Sequence, residues 1–115
     1  MSSPKIKEKD LLKLVIDYLS IKKVFHYRQN SGALKTDRGG FVRFGTLGAP
    51  DLVIVVKGLY IGCELKVGKN YQSPTQKQFQ KDLELAGGLY WLVYSLDDVI
   101  KKLNSLILSI EEKYE

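Results

Sequence analysis

Asp51-Leu-Val-Ile-Val-Val-Lys57-Gly58-Leu-Tyr-Ile-Gly-Cys-Glu64-Leu-Lys66 is two runs of β-branched and apolar residues joined by a glycine-containing pair. Such runs read as strands, and Lys57-Gly58 reads as the turn of a β-hairpin. Asp51 and Glu64 are equidistant from that turn, so any even-numbered loop centred on it sets them opposite one another. Directly opposed Cβ atoms lie about 4.5–5.5 Å apart. Lys66, two residues beyond Glu64, projects from the same face because strand side chains alternate. Two acids and a base are therefore predicted to converge.

Two carboxylates that close repel one another unless a cation lies between them or one is protonated, and oxygen ligands of this kind suit Mg²⁺ or Mn²⁺. The plainer reading makes Asp51 the end of a loop after Pro50, with Glu64 and Lys66 on the exposed face of an edge hairpin. Asp51 shares its sheet face with Val53 and Val55, and Leu52, Ile54 and Val56 occupy the other, so the strand reads as buried on both sides. Acids on such a strand need a reason.

The 115 residues fit one domain spanning the chain, and 44% hydrophobic and 27% charged residues are ordinary for a soluble protein. No apolar run approaches the roughly 20 residues that span a bilayer, so no membrane partner is expected. The N-terminal residues lack the apolar core of a secretion signal, and Cys63 is the single cysteine, so an intracellular location is expected. Cys63 falls on the face away from Glu64 and reads as a small buried residue. Lys22, Lys23, Arg28, Lys35, Arg38 and Arg43 against the single acid Asp37 account for the whole net charge of +5. A second run, Lys66, Lys69, Lys77 and Lys81, contains no acid. Either cluster alone reads as solvated surface; two of them around paired acids favour a phosphate-bearing partner.

Around the hairpin, Leu11, Leu12, Val15 and Leu19 fall at helical spacing in a segment from Lys5 to about Lys22. Glu8 lies on that stripe near the helix start, where it either answers the helix dipole or faces inward with the core residues. Val24 to Asn30 alternates as a strand, with His26 a partly buried strand residue. Asn30 to Gly40 is polar and glycine-rich and reads as a mobile basic loop, followed by a short strand at Phe41–Phe44. Ser73-Pro-Thr-Gln76 has the form of a capping box that opens a helix ending near Leu85 or Ala86. Leu89 to Tyr94 forms a strand, and Ser95-Leu-Asp-Asp98 starts a last helix reaching about Glu112. Its stripe of Leu96, Val99, Ile100, Leu103, Leu106, Ile107 and Ile110 reads as core or dimer surface. The fold class is α/β, a mixed central sheet flanked by helices.

Gly48-Ala-Pro-Asp51, then Glu64-Leu-Lys66, then Ser73-Pro-Thr-Gln76 resembles the PD-(D/E)xK nuclease superfamily, and within it the VRR-NUC branch. The helix carrying Glu8, Tyr27-Arg-Gln-Asn-Ser-Gly-Ala33, Val42-Arg-Phe-Gly45 and Ala86-Gly-Gly88 resemble its stand-alone phage and viral members, so the likeness covers nearly the whole chain. The resemblance implies an αβββαβ core and a metal-dependent DNA endonuclease. It implies that Asp51, Glu64 and the backbone carbonyl of Leu65 bind the metal, that Lys66 orients or activates the attacking water, and that Glu8 and Gln76 are site residues. Gln76 is also the capping partner of Ser73, and the two roles compete for one side chain. Arg28, Asn30, Lys35, Arg38, Arg43 and Lys69 are the candidates to hold DNA. The resemblance further implies branched or four-way junction DNA as substrate and a homodimer, with no organic cofactor. The rivals are a non-enzymatic DNA-binding module and a partner-dependent subunit of a repair or replication complex. An RNA substrate finds no aromatic RNA-binding run to support it.

Overall fold

The computed structural model describes residues 6–29 and 32–113, with residues 32–34 and 42–44 as backbone. In chain order the elements are α1 (Glu8–Ile21), β1 (Phe25–Arg28), β2 (Gly32–Lys35), β3 (Phe41–Phe44), β4 (Leu52–Val56), β5 (Leu59–Leu65), α2 (Pro74–Leu85), β6 (Leu89–Val93) and α3 (Leu96–Lys113). A four-stranded sheet has the order β1-β4-β5-β6, antiparallel except for the parallel β5–β6 pair, which α2 connects. A parallel neighbour needs such a crossover, because a tight turn can only reverse the chain.

The β4–β5 hairpin has the expected register, Leu52↔Cys63 through Val56↔Leu59. Its turn is the two-residue Lys57-Gly58, with φ of 50° and 84°. Positive φ at both central residues is the type I′ geometry whose twist matches a hairpin. Lys57 therefore takes a conformation that a side-chain-bearing residue adopts at some cost.

One sheet face and two helices form the core. Leu52 and Ile54 of β4, Ile61, Cys63 and Leu65 of β5, and Trp91 and Val93 of β6 meet Leu11, Val15 and Leu19 of α1 and Val99 and Leu103 of α3. Fully burying such aliphatic side chains contributes about 1.5–3 kcal/mol each, which is what holds α1 and α3 on this face. Cys63 is sealed here, and burial pushes its thiol up to about 12, so it is inert rather than nucleophilic. His26 is half-buried, its Nδ1 2.7 Å from the Val24 carbonyl oxygen.

The opposite face carries α2. Gly62 of β5 makes the close approach possible, since a Cβ there would lie 2.8 Å from Pro50 Cγ and 3.2 Å from Leu83 Cδ2. α2 opens as the capping box expected: Ser73 Oγ accepts from Gln76 N at 3.2 Å, and Pro74 stands in the first turn.

The segment read as a mobile loop departs from expectation. Its residues Gly32–Lys35 form β2, paired antiparallel with β3 in a separate two-stranded sheet. At the tip, Thr36 accepts from Gly40 N through Oγ1 at 3.0 Å and donates its own N–H to the Gly40 carbonyl at 2.8 Å. Glycine-rich polar sequence has little intrinsic strand preference, and the partner β3 supplies the order. The strand expected over Val24–Asn30 is shorter, Phe25–Arg28, and Asn30 lies outside the described residues.

Candidate active site

At the end of the β4–β5 hairpin away from its turn, the chain enters β4 through Gly48-Ala-Pro-Asp51. Gly48 has φ +79°, and a Cβ there would lie 2.4 Å from the Thr75 carbonyl oxygen. The loop that delivers Asp51 thus rests backbone to backbone on the first turn of α2, which only glycine permits. Asp51 lies one step before the Leu52↔Cys63 pair, and its Oδ2 accepts the Leu65 N–H at 2.8 Å. The side chain takes the place of a strand partner where the β4–β5 ladder ends.

Glu64 projects from β5 toward the same place and is 3% exposed. Its Oε1 accepts from Gln76 Nε2 at 3.2 Å and lies 4.0 Å from Lys66 Nζ. Its Oε2 is buried and has no hydrogen-bond partner among the described residues. Glu8, from the first turn of α1, completes the group: one carboxylate oxygen each of Glu8, Asp51 and Glu64 lie within 4.8 Å of one another. Of the two roles open to Glu8, facing the site is the one its position supports. Lys66 has a side chain 14% exposed, a cation held beside three acids.

The electrostatics follow from this crowding. Burial raises Glu64 most, then the charge of the nearby Asp51 carboxylate; Lys66 opposes them, and the result is about 8. Burial and Asp51 also raise Glu8, again against Lys66. Like-charged groups sharing a partly desolvated site behave in this way.

Gln76 corrects one expectation. Capping and site roles were set in competition, yet the amide divides between them: Oε1 accepts from Ser73 N at 2.8 Å while Nε2 reaches Glu64. A side-chain amide has an acceptor end and a donor end, and α2 starts where each can be used.

The basic candidates are more dispersed. Arg28 ends β1, Lys35 ends β2 and Arg38 sits in the β2–β3 turn, all exposed. Lys69 is exposed and, with Ile6, Val67, Gly68 and Asn70, lines an open cleft of about 660 Å³ beside the loop that follows Lys66. The side chains of Arg43 and Asn30 lie outside what the structure describes. The exposed aromatic residues of β1, Phe25 and Tyr27, were not singled out from sequence, although their alternation was visible there.

No helix among the described residues is long and apolar enough to cross a membrane. No family model matches the sequence, and no curated protein matches it. Nine chains of solved structures do match. One of them, a VRR_NUC domain protein, aligns over 88% of this chain and 88% of its own, with a TM-score of 0.62 and 20% identity. The two share one fold.

Proposed function

We propose that this chain is a divalent-metal-dependent DNA endonuclease whose site is Asp51, Glu64, Lys66, Glu8 and Gln76. One observation carries the reading: three carboxylates from three separate elements converge beside a nearly buried lysine, on a fold shared with a VRR_NUC domain protein. The donor set fits a hard cation. Ligand oxygens about 2.1 Å from one Mg²⁺ lie at most about 4.2 Å apart, so carboxylates within 4.8 Å need close only slightly. The unpartnered Glu64 Oε2 and the raised Glu64 and Glu8 are a cost that a bound cation relieves.

When bound, Mg²⁺ or Mn²⁺ supplies a water of lowered pKa and stabilises charge developing on the phosphoryl oxygens. The protein's part is orientation. The Leu65 N–H fixes Asp51 through Oδ2 and leaves Oδ1 for the ion, while Gln76 fixes Glu64 through Oε1 and leaves Oε2. The N–H and C=O of a strand residue leave on the same side, so the Leu65 carbonyl is directed toward the Asp51 edge and is a further ligand. Lys66 places a positive charge beside the attacking water, where it orients the nucleophile and offsets charge in the transition state. Exposed Arg28, Lys35, Arg38 and Lys69, with Asn30 and Arg43, are assigned to the DNA backbone. Branched DNA as substrate and a homodimer complete the reading, on the strength of the sequence resemblance. The distal α3 residues Leu106, Ile107 and Ile110, only half-buried, support a partner surface.

The test is incubation of purified protein with end-labelled four-way junction, flap, blunt duplex and single-stranded DNA, with Mg²⁺, Mn²⁺ or chelator. Cutting that requires metal and favours branched substrates is expected. Binding without cutting under every condition contradicts the proposal and leaves a non-enzymatic DNA-binding module.

A further inference from the structure

The sheet face that carries the acidic cluster is only partly covered. α2 lies over its β5–β6 side, where Leu83 meets Gly62. At the other edge β1 leaves Phe25 65% and Tyr27 46% exposed, their rings edge to face at 6.2 Å. The register arranges this face in rows. Phe25, Val55 and Tyr60 form one, and Tyr27, Val53 and Gly62 the next. Gln29 follows, its N–H donated to the Asp51 carbonyl at 2.9 Å, at the level of Asp51 and Glu64. Residues two apart on a strand are separated by about 6.8 Å, so the aromatic rows stand about 7 and 14 Å from the carboxylates. At about 3.4 Å per nucleotide along one strand, those are distances of roughly two and four nucleotides.

We propose that Phe25, Tyr27 and Tyr60 are a stacking platform for unpaired bases of the strand that runs into the acidic cluster. The identity of the ligand rests on the nuclease reading. Two observations select bases over a second copy of the chain. Residues 21–36 carry Lys22, Lys23, Arg28 and Lys35 and no acid, so a twofold contact centred on β1 sets these cations against their own copies, whereas a polyanion meets them favourably. The exposed groups are aromatic, and aromatic faces accept any base without reading its sequence. A duplex keeps its bases stacked inside, so the platform acts only where the substrate is unpaired, and it ties branch preference to the single-stranded arm.

The experiment compares wild type with the Phe25→Ala/Tyr27→Ala double variant by fluorescence anisotropy in chelator, using a labelled single-stranded oligonucleotide and a blunt duplex of equal length. Both side chains are exposed, so the variant is expected to keep its circular dichroism spectrum and melting temperature. Affinity for single-stranded DNA is expected to fall at least about tenfold and for duplex less than about twofold, with Phe25→Trp/Tyr27→Trp restoring the first. Equal loss on both ligands, or none, overturns the platform. Light scattering that finds a wild-type dimer and a monomeric double variant also overturns it, making β1 an interface between copies. The two readings separate cleanly: a chain that never cuts DNA but shows the selective loss keeps the platform and loses the nuclease, and one that cuts but binds both ligands unchanged does the reverse.

Discussion

Gln76 Nε2 donates to Glu64 Oε1 at 3.2 Å, and the other end of the same amide is already committed to the Ser73 N–H at 2.8 Å. The cap therefore sets the amide's orientation: with the oxygen on Ser73, only the NH₂ group can face Glu64. Helix initiation and site assembly share one side chain.

That sharing predicts different results for two substitutions. Gln76→Glu keeps an acceptor for Ser73, since glutamate serves a capping box as well, but replaces the donor facing Glu64 with a fourth negative charge. Its cleavage rate is expected to fall at least about tenfold with a chelator-free melting temperature only slightly lowered. Gln76→Ala removes both contacts and is expected to lose about 0.5–2 kcal/mol as well. Thermal melts beside cleavage rates check both; equal loss of stability in the two variants would sink the division of roles.

Metal-free protein is expected to lose stability as pH rises. Glu64 is raised from 4.5 to about 8 in the folded chain. Below pH 4.5 it is protonated in both states and contributes no pH dependence. Between the two values the folded chain holds a proton that the unfolded chain has released, so stability falls with pH at up to about 1.4 kcal/mol per unit. Glu8 is shifted the same way. Urea midpoints at pH 5 and pH 8 measure the fall, and saturating Mn²⁺ is expected to diminish or reverse it.

Glu64→Gln separates stability from activity. It removes the most buried charge of the cluster while nearly preserving its volume, so the metal-free variant is expected to be more stable than wild type at pH 8 by about 1–3 kcal/mol. The same change is expected to abolish cleavage. A variant less stable than wild type at pH 8 contradicts the idea that repulsion among Glu8, Asp51 and Glu64 is stored in this site.

Gly48→Ala tests the link between the Asp51 loop and α2. Its Cβ meets the Thr75 carbonyl oxygen at 2.4 Å at a φ of +79°, and neither backbone can yield without moving Asp51 or Gln76. A loss of about 1–3 kcal/mol is expected, with cleavage reduced even at temperatures where the variant is fully folded. Unchanged melting temperature and rate would show that the loop does not need this approach.

The hairpin and its carboxylates were legible because a two-residue turn fixes register from counting alone: Leu52↔Cys63 follows from Lys57-Gly58. The start of α2 was equally readable, since Ser73-Pro74 and Gln76 form a local motif. Helical spacing alone left Glu8 open, because it places the residue on the inward stripe but cannot say which strand end lies there; only the family resemblance pointed it to the site, where it stands within 4.8 Å of Asp51 and Glu64. Gln76 was misjudged in sequence because its double use depends on α2 beginning within reach of β5. β2 was missed since Gly32–Lys35 has no strand signature of its own and borrows its order from β3. The exposure of Phe25 and Tyr27 depends on β1 being an edge strand beyond the cover of α2, a fact of topology rather than of alternation.

The most direct measurement is calorimetric titration of Mn²⁺ into wild type and Glu64→Gln at pH 7 in two buffers of different ionisation enthalpy. Wild type is expected to bind and to release protons as it does so, because Glu64, raised to about 8, must ionise to become a ligand, and Glu64→Gln is expected to lose both signals. Absence of binding to wild type at millimolar Mn²⁺, or binding that Glu64→Gln leaves intact, contradicts a metal centre at Glu8, Asp51 and Glu64.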